Sequence, residues 1–135
     1  MLLPGNRPRE RSMGNLLIVS GPEEGKYYPL GRRTTVVGRS EQVPLQLVDN
    51  LVSRKHFQIR YDPDRDRYLL TDLKSANGTR VNGREVLVEI ELRDEDEILA
   101  GETKLVFSTR EWTDGESALN AYKQRGHRMR PTINQ

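Results

Sequence analysis

The sequence has no cysteine. Disulfides, thiolate nucleophiles and cysteine-based zinc sites are therefore excluded, and the composition fits a reducing compartment. Long apolar runs are missing as well. The longest fall far short of the roughly 20 residues that span a bilayer. Residues 1–14 offer only Leu2-Leu3 before Pro4-Gly5 and three arginines, with no apolar stretch of signal-peptide length. The expectation is a soluble cytoplasmic protein with no membrane partner. Nor does one sign of charge dominate. Residues 15–109 carry fourteen cations against sixteen anions, whereas residues 1–14 carry three Arg against one Glu and residues 110–135 carry five cations against three anions. The central part is slightly acidic and lacks the basic stripe of a nucleic-acid binder, so only the basic tails could serve that role.

What is present is enough for one modest core. With 135 residues, of which 34% are hydrophobic, a single domain with tails is the expected organisation. The division predicted is a flexible N-terminal segment (1–14), a domain (15–109), and a C-terminal extension (110–135) made of a short helix and a disordered tail. Strand-like runs recur through the domain at 16–20, 26–30, 34–37, 45–48, 56–61, 67–73, 79–81, 97–100 and 102–108, separated by Gly, Pro, Asn and Asp turns. After Arg110 the pattern changes. Thr113 with Glu116 fits a capping box, Leu119 and Tyr122 share one face, and Gly126 would close a helix ending near Gln124. So short a helix must dock Leu119 and Tyr122 on the sheet or fray.

Three polar pieces sit between the strand-like runs. They are Gly38-Arg39-Ser40, Ser53-Arg54-Lys55-His56, and Ser75-Ala76-Asn77-Gly78-Thr79 continuing to Asn82-Gly83. Loop tips on a rigid scaffold are where binding residues concentrate. Arg39 brings a planar five-donor fork, Ser53 a hydroxyl, Arg54 and Lys55 further cations, and Asn77 an amide that donates and accepts. This set suits a phosphate on a side chain, with its near-double negative charge and three strong acceptor oxygens.

The same three pieces, in order and approximate spacing, resemble the signature of forkhead-associated (FHA) domains, and the resemblance covers residues 15 to 109. It implies an all-β fold: a two-sheet antiparallel β-sandwich of about 11 strands, here with a short C-terminal helix. It also implies binding of phosphothreonine peptides at one end of the sandwich. Carried onto this chain, Arg39 and Ser53 would contact the phosphate, with Ser40, Arg54, Asn77 and Gly78 completing the phosphopeptide-binding set. Gly38, His56, Thr79, Asn82 and Gly83 would support the loops. Where many family members have Thr before the Asn of the third loop, this chain has Ala76, which removes a hydroxyl near the ligand.

Other chemistries find no constellation. Gly21 to Lys26 has three residues between its glycines where a phosphate loop needs four, and Tyr27 follows the Lys. Ser53 and His56 lack a nucleophile elbow, and the second histidine, His127, lies in the tail. Asp94-Glu95-Asp96-Glu97 reads as a solvated turn, and no metal or cofactor is expected. The reading is a non-enzymatic phosphothreonine-peptide adaptor in Ser/Thr kinase signalling, its partner a Thr-phosphorylated protein such as a kinase or a kinase substrate. Its own tail, phosphorylated at Thr132 after Arg128 and Arg130, is a further candidate ligand. Two rival readings stand: a phosphate-independent interaction or assembly module, and nucleic-acid binding through the basic tails.

Overall fold

The computed structural model describes residues 13–110 and 114–129, without the side chains of 126–129. In chain order the elements are β1 (Asn15–Ile18), β2 (Tyr27–Pro29), β3 (Thr35–Gly38), β4 (Leu45–Gln46), β5 (Phe57–Asp62), β6 (Arg67–Asp72), β7 (Thr79–Val81), β8 (Arg84–Glu85), β9 (Ile90–Glu91), β10 (Glu97–Ala100), β11 (Thr103–Ser108) and α1 (Gly115–Met129). The eleven strands form two sheets, ordered β2-β1-β11-β10-β7-β8 and β4-β3-β5-β6-β9. The expected sandwich is therefore present. One pairing departs from the antiparallel expectation: β3 and β4 run parallel, with Val37 opposite Leu45. The loop between them turns the chain through Gly38 to Pro44 and returns it in the same direction.

Strand periodicity explains the core. In β1, Leu16 and Ile18 face inward while Leu17 faces out, yet all are buried. Inward they meet Val37, Phe57, Ile59, Leu70, Ile98, Leu105 and Phe107 between the sheets. Outward, Leu17, Val19 and Val106 form a second small cluster that α1 covers with Ala118, Leu119 and Tyr122. The helix thus docks, as its apolar spacing requires. It starts against Gly25 and Tyr27 beside β2, where a Cβ on Gly115 would overlap the Gly25 carbonyl. Further on, the Tyr122 hydroxyl donates to Glu97 (3.2 Å) and Arg125 pairs with Glu95 (3.4 Å).

Three boundary expectations are corrected. The helix is capped by Asp114, whose Oδ1 accepts the Ser117 N–H at 2.8 Å, while Thr113 lies outside the described residues. The helix also continues through Gly126 to Met129. Glycine inside a helix costs only about 1 kcal/mol, so it stops one only where nothing else sustains the turn. Residues 127–129, expected to be mobile, therefore belong to α1, and 130–135 lie outside the described residues. At the other end, Gly14 belongs to the fold and not to a flexible segment. It is buried, donates to the Tyr68 hydroxyl (3.1 Å) and accepts from the Leu30 N–H (2.9 Å). A Cβ there would lie 2.6 Å from Phe107 Cε1. Residues 1–12 lie outside the described residues. Among the described residues, no helix is long and apolar enough to cross a membrane.

Ala118→Asp tests the docking, because Ala118 is buried between Leu17 and Val106. An uncompensated buried charge costs about 3 kcal/mol or more. Far-ultraviolet circular dichroism should lose its helical component while the β signal persists, since the inter-sheet core does not include this residue. An unchanged spectrum and melting temperature would contradict this packing.

Candidate functional site

Strand direction gathers the three polar pieces at one end. β3 and β6 finish there at Gly38 and Asp72, and β5 and β7 start there at Phe57 and Thr79. The connections 39–44, 47–56 and 73–78 are therefore neighbours, and specific bonds join them. The Arg39 N–H donates to the Ser53 carbonyl at 2.9 Å, and the Ser40 N–H donates to the Arg54 carbonyl at 3.2 Å. The Ala76 N–H donates to Ser53 Oγ, and the Asn77 amide donates to the Leu51 carbonyl, each at 2.9 Å.

Gly38 makes the first of these contacts possible. The carbonyls of Ser53 and Arg54 pass directly over it, and any Cβ would overlap the Arg54 carbonyl. Only glycine permits that approach. His56 makes the second. It is fully buried, its Nδ1 accepts the Ser53 N–H (2.9 Å), and its Nε2 meets the Gly78 carbonyl (2.8 Å). These partners require an acceptor at Nδ1 and a donor at Nε2.

Beyond the supports lie the groups that remain for a ligand. Arg39 spends Nε on the Val52 carbonyl (2.9 Å), which orients the guanidinium, while neither Nη is bonded among the described residues. Ser53 Oγ accepts one bond and keeps its O–H to donate. Arg54 and Lys55 are exposed, with side chains unpaired among the described residues. Arg39 and Arg54, with Ser40, Glu41, Gln42 and Gln46, line an open cavity of about 320 Å³. Two cations against one carboxylate leave it positive. Ser40 Oγ accepts the Gln42 N–H at 3.0 Å and shapes this turn.

Other expected residues fall into supporting places. Gly78 has φ of 82° and commits both backbone groups, its N–H to Ser75 Oγ (2.9 Å) and its carbonyl to His56. Thr79 is buried and donates to Asp72 Oδ1 at 2.6 Å. Asn82 and Gly83, both at positive φ, form the β7–β8 turn, and Asn82 bonds Asp96 and Glu97 and not the 73–78 connection. They fix the far end of β7, so their support for the site passes through the strand.

Sequence reasoning missed two carboxylates. Asp72 accepts from Thr79 Oγ1, from Ser75 Oγ (2.6 Å) and from the Ser75 N–H (3.0 Å), folding the third loop on itself. Burial opposes its ionisation, but these bonds outweigh burial and hold the carboxyl below its ordinary value of 3.8. The signal was available: an Asp closing a strand with Ser three residues on can accept both the N–H and the hydroxyl of that Ser, a local side-chain cap of the loop. Asp49 does the same for the second loop, accepting from the Leu51 and Glu102 N–H groups and the Thr103 hydroxyl at 2.8–2.9 Å. There too burial opposes ionisation and the bonds prevail, so its pKa is lowered. Its partners on the β10–β11 turn lie about 50 residues away, beyond any local pattern. Among the described residues there is no group of three or more His, Cys, Asp or Glu that could hold a metal ion.

Comparison with known proteins decides what this arrangement belongs to. The FHA domain family model matches residues 35–101, the span that contains all three loops. A solved FHA domain, studied for phosphothreonine-dependent FHA domain interactions, superposes with a TM-score of 0.65. It is 33% identical, and the match covers 74% of this chain and 99% of that one. The chain belongs to the FHA domain family. Among curated relatives, the oxoglutarate dehydrogenase inhibitor of Corynebacterium jeikeium is 38% identical over 68% of this chain and 62% of its own length. The glycogen accumulation regulator GarA of Mycolicibacterium smegmatis is 35% identical over 78% of this chain and 65% of its own. The chain therefore spans less than two thirds of the length of these two relatives, whose names are those of an inhibitor and a regulator.

Two substitutions test the supports. Gly38→Ala should destabilise the FHA domain by at least about 2 kcal/mol, the upper part of the range for single substitutions, measured by urea unfolding. Native stability in that variant would refute the close approach. Asp72→Asn should cost about 1.5–3 kcal/mol, the scale of hydrogen bonds to a charged group. Because the folded-state pKa is depressed, the stabilisation is complete above the unfolded value of 3.8 and is lost as pH falls through the folded one. The wild-type domain should therefore weaken below about pH 4 more steeply than Asp72→Asn. Parallel pH profiles would show that the carboxylate does not hold the loop.

Proposed function

We propose that this FHA domain recognises phosphothreonine in a protein segment and acts by binding, without turnover, as an adaptor in Ser/Thr kinase signalling in the cytoplasm. The observation that carries the reading is the state of Arg39 and Ser53. Both are fixed in place by bonds to loop backbone, and both retain donors aimed at no partner among the described residues. A guanidinium edge and a hydroxyl beside Arg54 match the three oxygens of a phosphate. Asn77 keeps its Oδ1 and one amide hydrogen, which suits the backbone of an extended peptide. Two or three charge-assisted bonds of about 1.5–3 kcal/mol each support micromolar-class affinity without a large interface.

The partner on this reading is a Thr-phosphorylated protein, a kinase or a kinase substrate. The idea that Thr132 is such a ligand falls outside the described residues and enters as one test peptide among others.

Titration calorimetry with matched peptides tests the proposal. A phosphothreonine peptide should bind, its unphosphorylated form should not, and Arg39→Ala should weaken binding about 100-fold or more, equivalent to about 2.7 kcal/mol, while destabilising the fold by no more than about 1 kcal/mol, the scale of its lost bond to the Val52 carbonyl. Equal affinity for both peptides, or full affinity in Arg39→Ala, would favour a phosphate-independent interaction module. Ala76→Thr should shift affinity by about 1 kcal/mol towards tighter binding, the net scale of one hydrogen bond. No change would mean that residue 76 does not face the ligand.

A further inference from the structure

The turn between β1 and β2 reaches the site's end as well. β10 finishes there opposite Thr79, β11 starts there, and β1, antiparallel to β11, finishes there at Ile18. Residues 19–26 then fold back on themselves. The Glu24 N–H donates to the Gly21 carbonyl (3.1 Å), the Lys26 N–H to the Glu23 carbonyl (3.0 Å) and the Gly25 N–H to the Ile18 carbonyl (2.7 Å). Ser20 Oγ ties the base of the turn to β11 by accepting the Lys104 N–H at 3.0 Å. The tip has two further neighbours, one on each side.

On one side stands α1. Its first residue, Gly115, packs on the Gly25 carbonyl, and a Cβ on Gly25 would meet Leu119 Cδ2 at 3.8 Å. One helical turn beyond Leu119, Lys123 Nζ pairs with Glu24 at 2.9 Å. On the other side stands the second loop. Glu23 Oε1 accepts the Val48 N–H at 3.2 Å, while Lys26 holds the other oxygen of the same carboxylate at 3.6 Å. Residues 24 and 25 therefore meet the helix, and residue 23 meets the loop. From Val48 the bonds lead to the site. Asp49 accepts the Leu51 N–H, the Leu51 carbonyl accepts from the Asn77 amide, and the Val52 carbonyl accepts from Arg39 Nε. The two carbonyls that orient Asn77 and Arg39 belong to the stretch whose start Glu23 holds.

The helix is the part of this chain of contacts that can let go. Exposed ion pairs such as Lys123–Glu24 contribute little, the apolar cluster under α1 is small, and a helix of 15 residues is marginal without packing. Elements with few buried contacts open first. Once α1 leaves, Glu24 and Gly25 lose their cover, the tip of the turn gains freedom, and Glu23 holds the second loop less firmly. We propose that Glu23 is a positioning residue for the phosphothreonine site and that α1 acts on the site through it, the docked helix raising affinity and the released helix lowering it. The inference rests on the phosphothreonine reading.

The test measures the Kd of a phosphothreonine peptide for the full chain as wild type, Glu23→Ala, Glu23→Gln, Ala118→Asp and the double variant Glu23→Ala/Ala118→Asp. Leu119→Ser replaces Ala118→Asp if the latter loses its β signal. Glu23→Ala and Ala118→Asp should each weaken binding about 5-fold, the scale of one net hydrogen bond, whereas Glu23→Gln, which keeps an acceptor for Val48, should stay within about 2-fold of wild type. The double variant should be weaker by about 5-fold and not about 25-fold, because both changes act on one path. Coupling is reciprocal, so saturating peptide should slow hydrogen exchange in α1 by the same factor in wild type and not in Glu23→Ala. Wild-type affinity in Glu23→Ala, affinity in Glu23→Gln as low as in Glu23→Ala, or independent losses in the double variant overturns the inference and leaves the phosphothreonine reading intact. Exchange in α1 that ignores the bound peptide does the same. Absence of any phosphate-dependent binding by wild type sinks both readings.

Discussion

A single buried imidazole fixes the relation between the second and third loops. His56 bonds four residues on three segments: its ring bonds Ser53 N–H and the Gly78 carbonyl, its N–H reaches the Val37 carbonyl, and its carbonyl receives the Leu73 N–H. A rigid ring with an acceptor on one edge and a donor on the other is what this position uses, and no other side chain presents that pair at that size. Replacing it by an apolar residue leaves a loop N–H and a loop carbonyl without partners inside the protein, a cost of about 1–3 kcal/mol for each buried group. His56 is therefore a positioning residue. It does not line the cavity beside Arg39, yet Ser53 and Asn77 stand where they do because of it.

Gly38 supplies the complementary constraint from the other side. It lets the backbone at Ser53 and Arg54 lie on β3, so the chain that presents the hydroxyl is also the chain that receives the Arg39 N–H. Loops fixed by backbone bonds, with Asp49 and Asp72 closing their bases, lose little freedom when a ligand arrives. That preorganisation is why so small a set of donors can suffice. An exposed arginine on a mobile loop would surrender much of its gain in ordering itself.

The sequence disclosed these parts unevenly, for a physical reason. Strand alternation and Asn-Gly turns are local, so nine of the eleven strands and the three loops could be located to within a residue or two, whereas the two-residue strands β8 and β9 carry no alternation to read. The roles of Gly38 and His56 came from resemblance, because nothing local distinguishes a glycine under a carbonyl from a glycine in a turn. Asp72 was legible in principle through its spacing to Ser75 and Asp49 only through the Leu51 N–H two residues on, since its other partners Glu102 and Thr103 lie on a distant strand turn. Helix α1 was foreseen by its apolar face. Its length was misjudged because a glycine stop is a weak signal beside the ion pair at Arg125.

Ala76 ties the two halves of the binding end together. Its N–H occupies an acceptor position on Ser53 Oγ, which leaves that hydroxyl's own proton to be donated elsewhere. The backbone at residue 76 thus does part of the work, whatever its side chain. On the proposed phosphothreonine reading, the absence of the threonine hydroxyl common in the family would leave one donor or acceptor fewer beside the phosphate, a difference on the order of 1 kcal/mol. Phosphate contact would then rest on Arg39, Ser53 and Arg54, with the backbone at residue 76 contributing by fixing the Ser53 hydroxyl.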